Sequence, residues 1–538
     1  MNVFAMITGL VGGLGLFVYG MNLMGDGLQN VAGERLKTFF ERITSNPFKG
    51  VLTGIVVTGV IQSSSATTVM VVGFVNAGLM NLTQAAGVIM GANIGTTVTG
   101  QLVAFKLTAV APLFVGVGTA IVLFSKKTKT KEIGHIILGF GILFMGMTIM
   151  EEAMSPLGKS EAFRNLSLAL SHNVFLGILV GMGMTAIVQS SSATIGILIA
   201  LANNGVLPLA SALPILFGDN IGTCITALLA SIGASKNARK AAVFHLTFNV
   251  IGTIIFAFIL VPLTPFVKFV VHMTPNDVGR QIANAHTVFN IVNTFIQIWF
   301  INYIVAFVNK VIPGTDTYEK MAPKYIDERL LENPAIAVNQ TIKEVVRMAG
   351  KAKENLQLSV EAFETDNMEL VSKVYENEKL INILNKSITT YLVKLSNSTL
   401  SDEQLDIVGS MFHVINDIER IGDHAENLGE LTREKIEKKI NFSDEAIYDL
   451  KHLFNYTLDA LNRTIEGFEN NDIDKSQSVI YVEEKIDKLQ KELRETNIRR
   501  LNKGTCNANA SAIFLDIISN FERVGDHSTN VAQTIINR

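Results

Sequence analysis

Two short stretches of hydroxyl side chains sit in otherwise apolar sequence. Residues 62–68 read Gln-Ser-Ser-Ser-Ala-Thr-Thr, and residues 189–195 read Gln-Ser-Ser-Ser-Ala-Thr-Ile. Hydroxyls both donate and accept hydrogen bonds. A break in an apolar helix also exposes N–H groups at the start of its second half, and these, with the helix dipole, attract anions. Unwound carbonyls and hydroxyl or amide oxygens suit Na⁺. The candidate ligands are therefore Gln62, Ser63, Ser64, Ser65 and Thr67 in one stretch, and Gln189, Ser190, Ser191, Ser192 and Thr194 in the other. Asn93, Thr96, Asn220 and Thr223 add oxygens of the same kind. No Lys or Arg lies within these motifs. An anion held there rests on hydroxyls and amides, with co-bound cations offsetting its charge. The competing role for Ser, Thr and Gly in such helices is close packing. Asp219 is the one acid in the repeated motifs, and its counterpart is Ala92. An ionised Asp at a bilayer centre costs roughly 2.5–3.5 kcal/mol. It calls for a partner, Na⁺ or a proton, unless it lies near the edge of a span and shares hydrogen bonds with Asn220. His245 and His286 sit in the similar phrases His-Leu-Thr-Phe-Asn and His-Thr-Val-Phe-Asn. Buried hydrogen bonding is expected for both, with Asn249 and Asn290 four residues on as partners on the same helical face.

The elements that position these residues follow from a repeat. Gln62 and Gln189 are offset by 127 residues, and so are Gly-Ala-Asn-Ile-Gly-Thr-Thr-Val-Thr at 91–99 and Gly-Asp-Asn-Ile-Gly-Thr-Cys-Ile-Thr at 218–226. Gly54 and Gly181 keep that register. This is a duplicated unit. The apolar run at 51–61 is roughly 16 Å long as a helix, half a bilayer. A polar break and a second run at 66–78 follow, a pattern that reads as a re-entrant hairpin. It recurs at 174–188 and 193–206. Three spans lie between the hairpins, at about 83–103, 107–124 and 133–150. Three is odd, so the second hairpin enters from the opposite face, as in an inverted-topology repeat. Basic residues agree with this. Arg35, Lys37, Arg42 and Lys49, then Lys126, Lys127, Lys129 and Lys131, then Lys236, Arg239 and Lys240, fall on one side with Lys310. Lys106, Lys159, Arg164, Lys268 and Arg280 fall on the other. The richer side is cytoplasmic by the positive-inside rule.

The chain of 538 residues divides by composition. It is apolar and Gly-rich to about residue 310, and rich in Glu, Lys, Asp and Asn beyond. Residues 5–24 lack a basic leader and a small-residue cleavage site, so they read as a retained span. The formal net charge of −3 argues against a nucleic-acid partner. Cys224 and Cys506 lie in different halves and support neither a disulfide framework nor a Cys metal site. There is no nucleophile–base pair, phosphate-binding Gly-Lys loop or dinucleotide fingerprint, so an enzyme is disfavoured. Residues 311–333 read as a linker. Six amphipathic helices follow, at about 335–364, 367–396, 402–438, 444–469, 475–502 and 508–537. Asp366 with Glu369, and Ser401 with Gln404, have capping-box spacing. This half repeats too: Ile-Glu-Arg-Ile-Gly-Asp-His at 418–424 returns as Phe-Glu-Arg-Val-Gly-Asp-His at 521–527, an offset of 103. Two three-helix units follow. Glu419 with Asp423, and Glu522 with Asp526, are four apart and share a helix face. Such pairs can assemble a carboxylate cluster for a hard or first-row metal. The alternative is a solvated charged face, with Arg420 and Arg523 pairing the acids.

The paired Gln-Ser-Ser-Ser stretches and the Asn-Ile-Gly-Thr phrases at 93–96 and 220–223 resemble the type II sodium–phosphate cotransporter family. The resemblance implies a phosphate site between two hairpins with sodium nearby, carried to Gln62, Ser63, Ser64, Ser65, Gln189, Ser190, Ser191 and Ser192. The Glu-Arg-x-Gly-Asp-His phrase resembles the PhoU family, helical regulators of phosphate uptake. It implies multinuclear metal sites at the acids, with Asp487 contributing; its counterpart, Asn382, departs from the pattern. The expectation is an all-α chain, a polytopic membrane domain (1–310, repeats about 34–125 and 160–260) with inverted-topology repeats and two re-entrant hairpins. A linker (311–333) and a cytoplasmic PhoU-like pair of three-helix bundles (334–538) complete it. The expected function is sodium-coupled transport of inorganic phosphate across the cell's plasma membrane by alternating access. Its partners are phosphate, Na⁺ and the lipid bilayer, with divalent or first-row metal ions at the C-terminal acids; a homo-oligomer is compatible with it. The alternatives are a carrier of another anion and a membrane-anchored signalling or scaffold protein.

Overall fold

The computed structural model describes residues 3–32, 46–105, 107–314, 322–398 and 400–537. Arg35, Lys37, Arg42, Lys106 and linker positions 315–321 lie outside the described residues. The chain forms two compact units, Met1–Thr317 and Tyr318–Arg538. Both are helical, and the described residues contain no strand.

In the first unit, 6 helices among the described residues are long and apolar enough to cross a membrane: Val3–Ala32, Leu107–Phe124, Thr128–Leu157, Leu209–Ala230, Lys236–Leu263 and Val278–Val311. Four shorter apolar helices are Pro47–Ile61, Ser64–Asn76, Val174–Val188 and Ser191–Asn203. The span expected at 83–103 is two helices, Leu82–Gly95 and Thr97–Val103, which meet at Thr96. Its counterpart Leu209–Ala230 is continuous. The amphipathic helix Glu161–His172, which carries no long apolar run, was not expected.

The sequence offset of 127 reappears in the helix ends. Pro47 and Val174 begin the matched helices, Ile61 and Val188 end them, and Ser64 and Ser191 begin the next pair. Local chemistry explains the agreement. Asn46 and Asn173 cap the first helices by accepting from the N–H groups of Phe48 and Leu176. Gln62 and Gln189 stop them in the left-handed region, at φ 60° and 56°. Ser63 and Ser190 then cap the second helices through the N–H groups of Ala66 and Ala193.

Duplicated glycines let backbones approach. A Cβ on Gly54 would lie 2.1 Å from the carbonyl oxygen of Val88, and one on Gly181 would lie 1.9 Å from that of Ile215. Gly50 meets Gly87, Gly54 meets Val88, and Gly95 meets Thr58, so Pro47–Ile61 runs parallel to Leu82–Gly95. The first helix packs against Thr128–Met154 in the opposite sense: Gly13 touches Gly146, Gly20 touches Leu143, and Gly27 touches Glu132.

Among its described residues the second unit holds six long helices: Pro334–Thr365, Met368–Ser396, Asp402–Glu437, Asp444–Asn470, Ile473–Asn502 and Ala508–Ile536. Their apolar faces meet in one core that includes Leu384, Met411, Ile418, Phe514 and Phe521. The capping box of Ser401 and Gln404 is present. Asp366 is not an N-cap. It ends the preceding helix at φ 52°, and Asn367 caps Met368–Ser396. The tight reversal needs a left-handed residue between the helices, and Asp tolerates that region.

Candidate functional site

Each hairpin folds back at its hydroxyl stretch. Thr58 Oγ1 donates to Thr67 Oγ1 at 2.9 Å, and Thr185 Oγ1 lies 2.9 Å from Thr194 Oγ1. Nine residues of continuous helix would hold such groups about 13 Å apart. The break leaves the N–H groups at the start of each second helix, at Ser64 and Ser65 and again at Ser191 and Ser192, without intrahelical acceptors. A non-glycine residue in the left-handed region costs roughly 1–2 kcal/mol. The strain is present at Gln62 and at Gln189, so both tips hold it against that cost.

Ser64, Thr67, Asn93, Thr96, Ser191, Ser192, Thr194, Asp219, Asn220 and Thr223 are buried. Ser63, Ser65 and Ser190 are half-buried, and Gln189 is exposed. The two repeats meet where Thr96 Oγ1 lies 3.4 Å from Ser191 Oγ. Gln62 Oε1 accepts from Thr99 Oγ1 at 2.8 Å. Asp219 is fully buried; its Oδ1 accepts from Thr185 Oγ1 at 2.5 Å, and its Oδ2 has no partner. The expected alternative, hydrogen bonding between Asp219 and Asn220, is not what forms. Asn220 instead donates to Asn290 Oδ1 at 2.8 Å, and its Oδ1 lies 3.3 Å from His286 Nε2. Asn93 Nδ2 is taken by the carbonyl of Ile89, and Thr223 Oγ1 by that of Asp219. Asn249 and Asn290 bond to the backbone carbonyls of His245 and His286, not to the rings, and both His245 ring nitrogens lack partners. Thr58, Thr99 and Thr185 escaped the sequence reading. Thr58 and Thr185 share the 127-residue offset, which is the signal that finds them. The hairpin tips thus offer hydroxyls, amides and free N–H groups, and Asp219 on Leu209–Ala230 adds one unsatisfied carboxylate oxygen beside Thr185, a donor set for an oxyanion and a hard cation.

The acids of the second unit form two clusters. Glu419 and Asp423 face Glu378 of Met368–Ser396, and a Cβ on Gly422 would lie 2.6 Å from Glu378 Oε2. Glu378 is 2% exposed, and its Oε2 has no partner. Burial, then the charges of Asp423, Glu426 and Glu419, push it up to about 8. Asn382, at the position matching Asp487, donates to Glu378 Oε1 at 3.1 Å. In the second cluster, oxygens of Glu483, Asp487 and Asp526 lie within 4.8 Å of one another. Glu522 stands close enough for the charges of Asp526 and Asp487 to add to burial in raising its carboxyl above the usual range. Glu483 and Asp526 are raised likewise, by burial first and then Asp487. Arg420 pairs with Asp423 at 3.2 Å. Among the described residues, Glu483, Asp487 and Asp526 bring three carboxylate oxygens close enough to share one ion, and oxygen ligands suit a hard or first-row cation; the orphaned buried oxygen belongs to Glu378 in the other cluster. Glu378 and Glu483 are the ligand candidates the sequence missed, although each stands four residues before a position it singled out, Asn382 and Asp487. Between the clusters, His424 Nδ1 lies 2.8 Å from Asn520 Oδ1 and His527 Nδ1 lies 2.8 Å from Asp417 Oδ1. This matched pair ties the three-helix units together.

The profile of the Na⁺/Pi-cotransporter family matches residues 16–152 and 146–274. That of the PhoU domain matches residues 345–432 and 450–535. A Bacillus subtilis (strain 168) chain described as "Uncharacterized protein YqeW" is 33% identical over 298 residues, spanning 55% of this chain and 95% of its own length. The "Putative inorganic phosphate export protein YjbB" of Salmonella typhimurium is 23% identical over 538 residues, spanning 98% of this chain and 97% of its own. The "Phosphate-specific transport system accessory protein PhoU homolog 1" of Thermotoga maritima is 30% identical over 196 residues, spanning 36% of this chain and 83% of its own.

Proposed function

The chain belongs to the Na⁺/Pi-cotransporter family and carries a PhoU region, and from that premise we propose that it moves inorganic phosphate together with Na⁺ by alternating access around its two hairpins. Both families describe transport and its regulation, not an enzyme. Residues 1–310 (repeats about 34–125 and 160–260) form the carrier, 311–333 a linker, and 334–538 a cytoplasmic regulatory domain at the plasma membrane. The antiparallel packing of Val3–Ala32 on Thr128–Met154 supports an inverted repeat. The 15-residue lengths of Pro47–Ile61 and Val174–Val188, about 22 Å each, support hairpins that enter the bilayer without crossing it.

The observation that carries the reading is the buried meeting of the two repeats, where Thr96 and Ser191 touch. Around it the Gln-Ser-Ser-Ser side chains and free N–H groups hold the phosphate oxygens. Asp219, with an oxygen unpaired beside Thr185 and Thr194, takes Na⁺. The positive charge offsets the anion where no Lys or Arg can. Direction follows from gradients: the same machinery imports or, as the YjbB description has it for that relative, exports. In the regulatory domain Glu378, Glu419 and Asp423, and separately Glu483, Asp487, Glu522 and Asp526, would hold divalent or first-row metal ions. A bound ion supplies the positive charge these acids lack, and the domain adjusts transport to phosphate status.

Radiolabelled phosphate uptake into proteoliposomes, with an inward Na⁺ gradient against a K⁺ control, tests the carrier. A Na⁺-dependent signal that disappears in Ser64→Ala and Ser191→Ala supports it. Correctly inserted protein that takes up another anion in preference moves the substrate assignment, and protein that moves no anion removes the carrier reading.

A further inference from the structure

The two hairpin tips share a sequence and a backbone but not a state. Gln62 and Gln189 both end their helices in the left-handed region. Gln62 is 5% exposed; its Oε1 accepts from Thr99, and its Nε2 donates to the carbonyl of Gly59. The residue 127 positions after Thr99 is Thr226, which occupies the same place on Leu209–Ala230. Thr226 Oγ1 is buried and has no hydrogen-bond partner, and Gln189 is exposed. Both residues of the second pair are present, and their bond is unmade. A buried hydroxyl without a partner is unfavourable, so Thr226 is left ready to bond. The contact between repeats is one-sided in the same way. Thr96 reaches Ser191, whereas the matching Thr223 hydroxyl donates to a carbonyl of its own helix.

We propose that Thr99 and Thr226 are positioning residues that pin the two hairpin tips in alternation. In the state described here Thr99 holds Gln62 inward and Gln189 is released. In the opposite-facing state Thr226 holds Gln189 and Gln62 is released. Exchange of conformation between duplicated halves is how inverted repeats present one site to two sides. The two pins therefore bias the same equilibrium in opposite directions. The inference rests on the alternating-access reading above.

The test compares Thr99→Val with Thr226→Val in the full-length chain, reconstituted in oriented proteoliposomes. Valine keeps the shape and removes the hydroxyl. Loss of one neutral hydrogen bond changes the population ratio by about fivefold, and apparent affinity follows the fraction of competent protein. Apparent KM for phosphate, measured separately from each side, should move by up to about fivefold in opposite directions for the two variants. Thr99→Ser and Thr226→Ser should restore the parent values, and the double valine variant should return the two KM values towards the parent. Changes in the same direction on both sides, or no change in either variant, would overturn the pinning and leave the carrier standing. A parent chain that moves no phosphate would take down both.

Discussion

A methyl group added at Gly91 or at Gly218 asks whether helix packing sets the hairpins' working position. The new Cβ would lie 2.0 Å from the carbonyl oxygen of Val51 in the first case and 2.0 Å from that of Ile178 in the second. Carbon–oxygen contacts settle near about 3.3 Å, so each crossing helix must move off its hairpin by on the order of 1 Å. No flexible side chain can yield, because both obstacles are backbone. Overpacking of this kind costs about 1–3 kcal/mol. The larger consequence is positional: a ligand set displaced by about 1 Å loses on the order of 100-fold in rate. Gly59→Ala and Gly183→Ala lie on the same hairpin helices and meet nothing within 4 Å. They should transport as the parent does and gain about 1 kcal/mol of helix propensity. The assay is initial Na⁺-driven phosphate uptake per inserted molecule, with size-exclusion behaviour as the folding check. A well-behaved Gly91→Ala or Gly218→Ala chain that transports within threefold of the parent would refute the argument that these contacts position the site.

Asp219→Asn removes the carboxylate beside Thr185, and apparent KM for Na⁺ should rise at least tenfold while KM for phosphate at saturating Na⁺ moves less; equal shifts in both would separate Asp219 from the cation. Mn²⁺ at about 100 times its Kd should stabilise the regulatory unit by about 2.7 kcal/mol, read as a chelator-reversible rise in its unfolding temperature. Glu522→Gln with Asp526→Asn should lose part of that gain, and an undiminished rise would place the metal elsewhere. Glu378 sits at about 8 against its ordinary 4.5, so between roughly pH 4.5 and pH 8 the unfolded chain has released a proton that the folded chain keeps. Stability of the metal-free regulatory unit should then fall as pH rises through that window. Glu378→Gln should flatten the slope, and an unchanged pH series of thermal unfolding in chelator would count against it.

The helical layout was legible because its signals are local. Apolar runs, Asn and Ser caps and the 127-residue offset are written in consecutive residues, and the matched helices begin and end on them. What escaped lies across space. Thr185 gives no sign in sequence that it will meet Asp219, thirty-four positions away. Glu378 and Glu483 sit in ordinary charged helices, and only folding brings them against the repeated phrases. The cap at Asp366 was misread for a related reason. Spacing to Glu369 fits a capping box, but the reversal between Pro334–Thr365 and Met368–Ser396 needs its left-handed residue there, and Asn367 takes the cap.

The two duplications have diverged in different currencies of charge. In the membrane unit one copy has Asp219 where the other has Ala92; the copies keep the same hydroxyl contacts, Thr58 with Thr67 and Thr185 with Thr194. The scaffold is thus preserved while one half alone places a carboxyl group in the repeated motif. In the regulatory unit one copy has Asp487 where the other has Asn382. Asn382 ties up an oxygen of Glu378, so that cluster offers a cation less charge than its twin. Each pair of halves therefore combines a shared frame with an unequal electrostatic site. A carrier whose halves exchange shapes need not have halves of equal affinity. Asp219 lies on Leu209–Ala230 and bonds to Thr185 of the second hairpin, so on the proposed reading a cation bound there would act on the same half whose tip Thr226 is proposed to pin.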